Sequence, residues 1–425
     1  MLIHVVRSGE SIHKIAQQYG VTPQEAENAN GLPDPNRLVV GEAIVVPGKG
    51  QSYVIQAGDS LYVIAQRYGV TLDALRRANP QISNPNQISV GQAIQIPDGA
   101  RRDITVNGYC YPTANADTLA AALRHLTFLS VFSAIAHADG GLTPMNNDSR
   151  VIAQAKAAGV QPHLVIANIE EGKGFLSSVA AGILSNAQAQ ENLLQNAVAI
   201  CREKGYTGVD IDFEYVPAAQ REDLDCFLAK ARAVLHDAGL RLTSAVAAKT
   251  RDDQTGLLTE GIDYLGQGRY NDFVTLMTYD WGHIGGPPMA VAPINEVRKV
   301  IDYALTRIPS KKILMGIPNY GYDWTLPYAQ GATAKAVNFS SAINLAVQYN
   351  AAIQFSETAQ TPYFNYTDSN ARQHVVWFED ARSIRQKLQL VREKGLAGVS
   401  YWTVNYLFQQ NWALLENMFR VVKYV

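Results

Sequence analysis

The chain has 425 residues, 47% hydrophobic and 17% charged, so it can bury a sizeable core and is too apolar to be disordered. Its 36 basic and 38 acidic residues leave a net charge of −2, which argues against nucleic acid or an anionic membrane surface as the main partner. Three cysteines, Cys110, Cys201 and Cys226, have neither disulfide-framework nor metal-ligand spacing and are expected as buried or semi-buried thiols.

Residues 1–7 show no basic segment leading into a long apolar run, and no stretch of 18 apolar residues occurs in the chain. The expectation is a protein made in the cytoplasm, without Sec export and without membrane insertion. The first hundred residues contain a repeat. His4-Val5-Val6-Arg7-Ser8-Gly9-Glu10-Ser11 matches Tyr53-Val54-Ile55-Gln56-Ala57-Gly58-Asp59-Ser60, and Ile15-Ala16-Gln17-Gln18-Tyr19-Gly20-Val21-Thr22 matches Ile64-Ala65-Gln66-Arg67-Tyr68-Gly69-Val70-Thr71. Asn30 matches Asn79; after a shift of one residue, Val40-Gly41-Glu42-Ala43-Ile44 matches Val90-Gly91-Gln92-Ala93-Ile94. Each unit reads as strand, helix, helix, strand. Ser11 and Ser60 suit helix N-caps, and Gly20 and Gly69 suit the position after the helix. Residues 48–52 read as a short flexible link.

Both units, 1–48 and 52–98, resemble LysM domains in their V-x-x-G-[DE]-[ST] opening, I-A-x-x-Y-G-V core, A-N pair and V-G-x-x-I-x-[IV]-P close. The resemblance implies binding to glycans that contain N-acetylglucosamine, such as peptidoglycan and chitin.

From about residue 102 short apolar runs alternate with longer amphipathic ones. The runs are 104–111, 128–136, 163–169, 208–214, 241–247, 273–279, 313–317 and 398–402, with helical stretches such as 188–204 and 219–238 between them. Eight strands in β-α alternation predict an α/β fold, a (β/α)8 TIM barrel spanning 102–425, with its chemistry at the C-terminal ends of the strands. The long connection between runs seven and eight contains strand-like segments at 352–355, 363–366 and 375–377. It predicts a small α+β insertion at about 325–380, followed by a returning helix at 381–394.

The fourth run carries the chemistry. In Gly208-Val209-Asp210-Ile211-Asp212-Phe213-Glu214 the alternation places three acids on one strand face and three apolar side chains on the other. Acids so close cannot all ionise cheaply, so at least one pKa is expected to rise. A carboxylic acid held protonated near neutrality is what a departing glycosidic oxygen needs.

This run resembles the D-G-x-D-x-D-x-E signature of glycoside hydrolase family 18, and Met277-Thr278-Tyr279-Asp280 and Trp402 fit the same family. The stretches 316–324, 362–366 and 376–383 are similar to its spore-germination branch of cortex-lytic N-acetylglucosaminidases. The resemblance implies a substrate-assisted retaining mechanism, with Glu214 as the acid that later activates water. It implies that Asp212 holds the acetamido N–H, Asp210 shares a proton with Asp212, and Tyr279 orients the acetamido carbonyl. Asp280 would position the sugar and Trp402 would stack beneath it, with Tyr109 nearby. Met277, Tyr320 and Asn168 complete the expected substrate contacts, and Trp281 and Trp324 are candidates for the cleft wall.

Two positions depart from the family pattern. Thr207 stands where the first signature Asp would be, with altered support for Asp210 as the expected result. The third run reads Val165-Ile166-Ala167-Asn168-Ile169 and lacks the S-x-G-G of typical chitinases. No cofactor or metal is implied, since the eight histidines show no ligand spacing. The resemblance implies peptidoglycan as partner, with spore-coat proteins as further neighbours, and a location in the coat and cortex region after synthesis in the mother cell. A chitinase, or a glycan-binding lectin on an inactive barrel, is the alternative.

Overall fold

The computed structural model describes residues 1–48, 51–56, 58–68, 70–85, 87–97, 101–170 and 172–424. Gly69, expected to close a helix, Lys49 and Gly50 of the expected link, and residue 98, the expected end of the second repeat, lie outside the described residues. In the first repeat the strands Leu2–Val5 and Ala43–Val46 pair antiparallel around the helices Ile12–Tyr19 and Pro23–Asn30. The second has Gln51–Val54 and Ala93–Ile96 around Leu61–Tyr68 and Leu72–Ala78. Gln51 and Ser52 are thus strand rather than link.

The caps follow the sequence. Ser11 accepts from the Lys14 N–H, Ser60 accepts from the Val63 N–H, and Gly20 adopts φ 67°. The repeated asparagine has a structural reason. Asn30 donates to the carbonyls of Ala26 (2.6 Å) and Val45 (2.7 Å) and accepts from the Val45 N–H. Asn79 makes the same three bonds to Leu75 and Gln95. Each ties its second helix to its closing strand.

The barrel strands are Arg102–Cys110, Phe128–Ala136, Gln161–Ala167, Gly208–Asp212, Arg241–Ala247, Phe273–Met277, Ile313–Pro318 and Gly398–Trp402. They pair in parallel in chain order, and the first closes on both the second and the eighth. The apolar face of the fourth strand turns outward: Val209 and Ile211, with Phe213 just beyond, join a cluster with Leu224 and Phe227 of the helix Arg221–Asp237. That burial points Asp210 and Asp212 into the barrel. The fourth and sixth strands are shorter than their sequence runs, ending at Asp212 and Met277, so Glu214 and Tyr279 stand on the loops that follow. The three acids therefore do not share one strand face; the backbone leaves the strand before the last of them.

The insertion is a five-stranded antiparallel sheet, ordered Lys335–Val337, Gly321–Leu326, Gln373–Trp377, Thr361–Thr367, Gln354–Ser356, with the helix Phe339–Gln348. It begins at Gly321, and the helix Ala381–Glu393 leads from it back to the barrel. Trp324 fills the insertion's core and donates its indole N–H to the Gly286 carbonyl, so it does not line the cleft. Cys110 and Cys201 are buried, whereas Cys226 is exposed on the outer face of its helix, contrary to expectation. Among the described residues no helix is long and apolar enough to cross a membrane.

Candidate active site

Glu214 is held by its backbone. Its N–H donates to Asn168 Oδ1 (2.9 Å) and its carbonyl accepts from Asn168 Nδ2 (2.8 Å). Asn168 follows the third barrel strand, is fully buried, and also donates to the Leu176 carbonyl. It therefore does not reach the cleft, as the sequence had suggested, but fixes the residue that does. Tyr215, next in the chain, has φ 56°, a conformation that costs a non-glycine residue roughly 1–2 kcal/mol.

Beneath Glu214 the two aspartates are sealed. Asp210 accepts from the Tyr109 hydroxyl (2.5 Å) and from Thr243 Oγ1 (2.7 Å). Burial raises its pKa, while bonds from Tyr109, Thr243 and Ser130 oppose the rise. Thr207 lies at the other end of the strand, where its hydroxyl donates to the Pro162 carbonyl. Support for Asp210 thus comes from neighbouring strands and not from position 207. Asp212 has one oxygen with no protein partner. Burial, then Glu214, then Asp210 push its pKa well up. Burial, and then the charge of Asp280, push Glu214 up to about 7. The group nearest the cleft thus keeps its proton over a wider pH range than a free carboxyl, up to about neutrality.

The walls come from the other strands. A cavity of about 550 Å³ lies beside Glu214, lined by Met277, Tyr279, Asp280, Trp281 and the segment 247–259. Gly316 on the seventh strand leaves room for Tyr279: a Cβ there would lie 2.8 Å from its ring and 2.5 Å from the Leu276 carbonyl. Asp280 adopts φ 66° and accepts from the Tyr320 hydroxyl (2.5 Å). Tyr320 therefore reaches the site through Asp280. Trp402 is half-buried, with ring centroids of Phe132, Tyr109 and Tyr111 at 5.0, 5.4 and 6.1 Å. Tyr109 is buried under this floor with its hydroxyl spent on Asp210. Sequence reasoning missed Phe132, Tyr111, Thr243, Gly316 and segment 247–259. Aromatics in ordinary strands and a loop without a motif carried no local signal. Among the described residues no group of three or more His, Cys, Asp or Glu is placed to hold a metal ion.

A glutamic acid at the C-terminal mouth of a (β/α)8 barrel, backed by two sealed aspartates and faced by an aromatic floor, defines a glycosidase-type site. The model of glycosyl hydrolases family 18 matches residues 109–406, and that of the LysM domain matches 4–47 and 53–97. The chain is 42% identical to the cortical fragment-lytic enzyme of Bacillus subtilis (strain 168), over 100% of this chain and 99% of that protein. The crystal structure of the Bacillus cereus spore cortex-lytic enzyme SleL superposes with a TM-score of 0.90 at 40% identity, over 99% of each chain. The chitinase from Chromobacterium violaceum gives a TM-score of 0.68 at 25% identity, over 74% of this chain and 98% of that one. The chain belongs to glycosyl hydrolases family 18 and carries two LysM domains at its N-terminal end. It is a glycosidase.

Proposed function

We propose that this glycosidase cleaves the β-1,4 bond that follows N-acetylglucosamine in peptidoglycan, with spore cortex or cortical fragments as its substrate. The observation that carries the reading is Glu214 itself: a carboxyl raised to about 7, rigidly bracketed, and opening on the cavity. Glu214 gives its proton to the leaving glycosidic oxygen while the substrate's own acetamido oxygen attacks C1, forming an oxazolinium ion. Water then adds to C1, losing its proton to Glu214, and the β configuration is retained. The substrate's acetamido group, and not an enzyme carboxylate, is the nucleophile in this reading, a known exception to the two-carboxylate scheme that the family match supports.

Asp212, with one oxygen unpartnered, receives the acetamido N–H and steadies the cation. Asp210 sets the proton balance of that pair, which titrates as a unit. Tyr279 orients the acetamido carbonyl, Met277 and Asp280 shape the subsite, and Trp402 supports the sugar's C–H face. The LysM domains tether the enzyme to insoluble glycan and raise the local substrate concentration. The place of action is the coat and cortex region of a bacterial spore, reached from the mother cell, with coat proteins as neighbours. The likeness in sequence and structure to cortex-lytic enzymes over essentially the whole chain supports the substrate and the place.

The test is mass spectrometry of borohydride-reduced products from cortex peptidoglycan, with chitin oligosaccharides in parallel. Reduced N-acetylglucosamine ends from cortex are expected, with little chitin turnover. Chitin cleavage with intact cortex would make the protein a chitinase, and no product from either would make it a lectin. Glu214→Gln is expected to abolish hydrolysis and leave glycan pull-down nearly intact.

A further inference from the structure

The two repeats align along their length with a single one-residue shift, yet they meet the rest of the molecule differently. In the second, the closing strand Ala93–Ile96 alternates exposed and buried; in the first, Ala43–Val46 is buried throughout. Ile44 and Val46 fill the first repeat's own core, as Ile94 and Ile96 fill the second's. Ala43 and Val45, with Ala29 and Val39, belong instead to the barrel's apolar cluster. At the matching positions Ala93, Gln95 and Ser89 are exposed.

Polar contacts seal the same face. The Ile353 N–H donates to the Val40 carbonyl (2.8 Å), Arg382 to that of Gly41 (3.1 Å), and Gln410 to that of Ala43 (2.6 Å) and to Asn30 Oδ1 (2.9 Å). A Cβ on Gly41 would lie 1.8 Å from the Ile353 carbonyl oxygen; on Gly91, with nearly the same φ, it would meet nothing within 4 Å. The second repeat is held at its Tyr68, whose carbonyl accepts from Arg392 (2.9 Å). In its first helix Tyr62 and Val63, which follow the buried Leu61, are 57% and 42% exposed. The first repeat has His13 and Lys14 there, and Lys14 is tied to the Gly9 carbonyl.

We propose that the repeats have divided their labour. The first is a structural lobe of the catalytic unit, and the second is the tether, gripping N-acetylglucosamine-containing glycan with the face headed by Tyr62 and Val63. An exposed phenol ring beside an aliphatic side chain complements the C–H face of a sugar, whereas His13 and Lys14 present a smaller, polar imidazole and an ammonium group there. The division rests on the LysM glycan-tethering reading above.

The experiment uses the full chain and insoluble peptidoglycan, with hydrolysis of soluble fragments as control. Tyr62→Ala is expected to weaken retention by roughly tenfold and His13→Ala to leave it unchanged, with soluble hydrolysis intact in both. Val45→Gln, which copies Gln95 into the first repeat, is expected to lower the temperature of half-inactivation by several degrees without loss of retention below it. Equal loss in Tyr62→Ala and His13→Ala, or no loss in Tyr62→Ala, would overturn the division while leaving the tether standing. An unchanged inactivation temperature in Val45→Gln would overturn the structural role. Failure of the wild type to sediment with glycan would remove the tethering reading and the division with it.

Discussion

The amide side chain of Asn168 brackets the main chain of Glu214, accepting from its N–H at 2.9 Å and donating to its carbonyl at 2.8 Å. The third barrel strand thereby sets where the fourth strand's acid points, at a residue that has already left the sheet. Asn168→Ala breaks both bonds. The expected result is a loss of about 100-fold in kcat, the size that goes with a misplaced catalytic group, with KM little changed. Steady-state kinetics on soluble cortical fragments check it. A variant with unimpaired kcat would show that the strand end holds Glu214 unaided.

Proton balance at Glu214 gives a pH profile. Hydrolysis needs the protonated acid, so kcat/KM is expected to fall as pH rises through about 7. Asp280 contributes to the raised value, so Asp280→Asn should move this alkaline limb to lower pH. Stability carries the same sign. Folding favours the neutral form of Glu214, and that contribution is complete below about 4.5 and lost as pH climbs through about 7. Glu214→Gln is therefore expected to melt higher than the wild type at pH 8 and nearly level with it at pH 4. An unmoved limb in Asp280→Asn would assign the limb to another group.

Much of this was legible in the chain. The eight apolar runs lie on the eight barrel strands, because short apolar runs separated by amphipathic helices leave little other choice. The repeat was visible because residues such as Asn30 and Asn79 do the same work twice. What the sequence hid depends on contacts between distant segments. Asn168 looked like a substrate contact, since nothing local says that its amide is consumed by residue 214. Trp324 and Tyr320 looked alike as cleft aromatics; one fills the insertion's core and the other holds Asp280. Docking of the first repeat had a faint signal, the loss of alternation in Ala43–Val46 against Ala93–Ile96, readable only by comparing the copies.

Gly316 is the space into which Tyr279 fits. Gly316→Ala would put a methyl group 2.8 Å from the Tyr279 ring and 2.5 Å from the Leu276 carbonyl, closer than real Cβ contacts come. Tyr279 is expected to shift, with a fall of about 10- to 100-fold in kcat/KM on N-acetylated fragments. A cost of about 1–3 kcal/mol in urea unfolding is expected alongside. Normal activity would mean that the ring relaxes without leaving its place.

The insertion is joined to the barrel over a buried charge pair. Lys387 on the helix Ala381–Glu393 donates to both oxygens of Glu379 (2.8 and 3.0 Å), and the two side chains are 1% and 2% exposed. Asp380, beside Glu379, caps that helix with a reciprocal capping box. Glu379→Leu would strand the ammonium group in the interior and is expected to cost about 3–5 kcal/mol. Adding Lys387→Met should recover most of the stability, since a packed apolar pair avoids the desolvation that the ion pair must offset. Urea unfolding of the two single variants and the double variant measures this. A double variant as unstable as Glu379→Leu would mean that packing at this junction, and not the stranded charge, sets the cost.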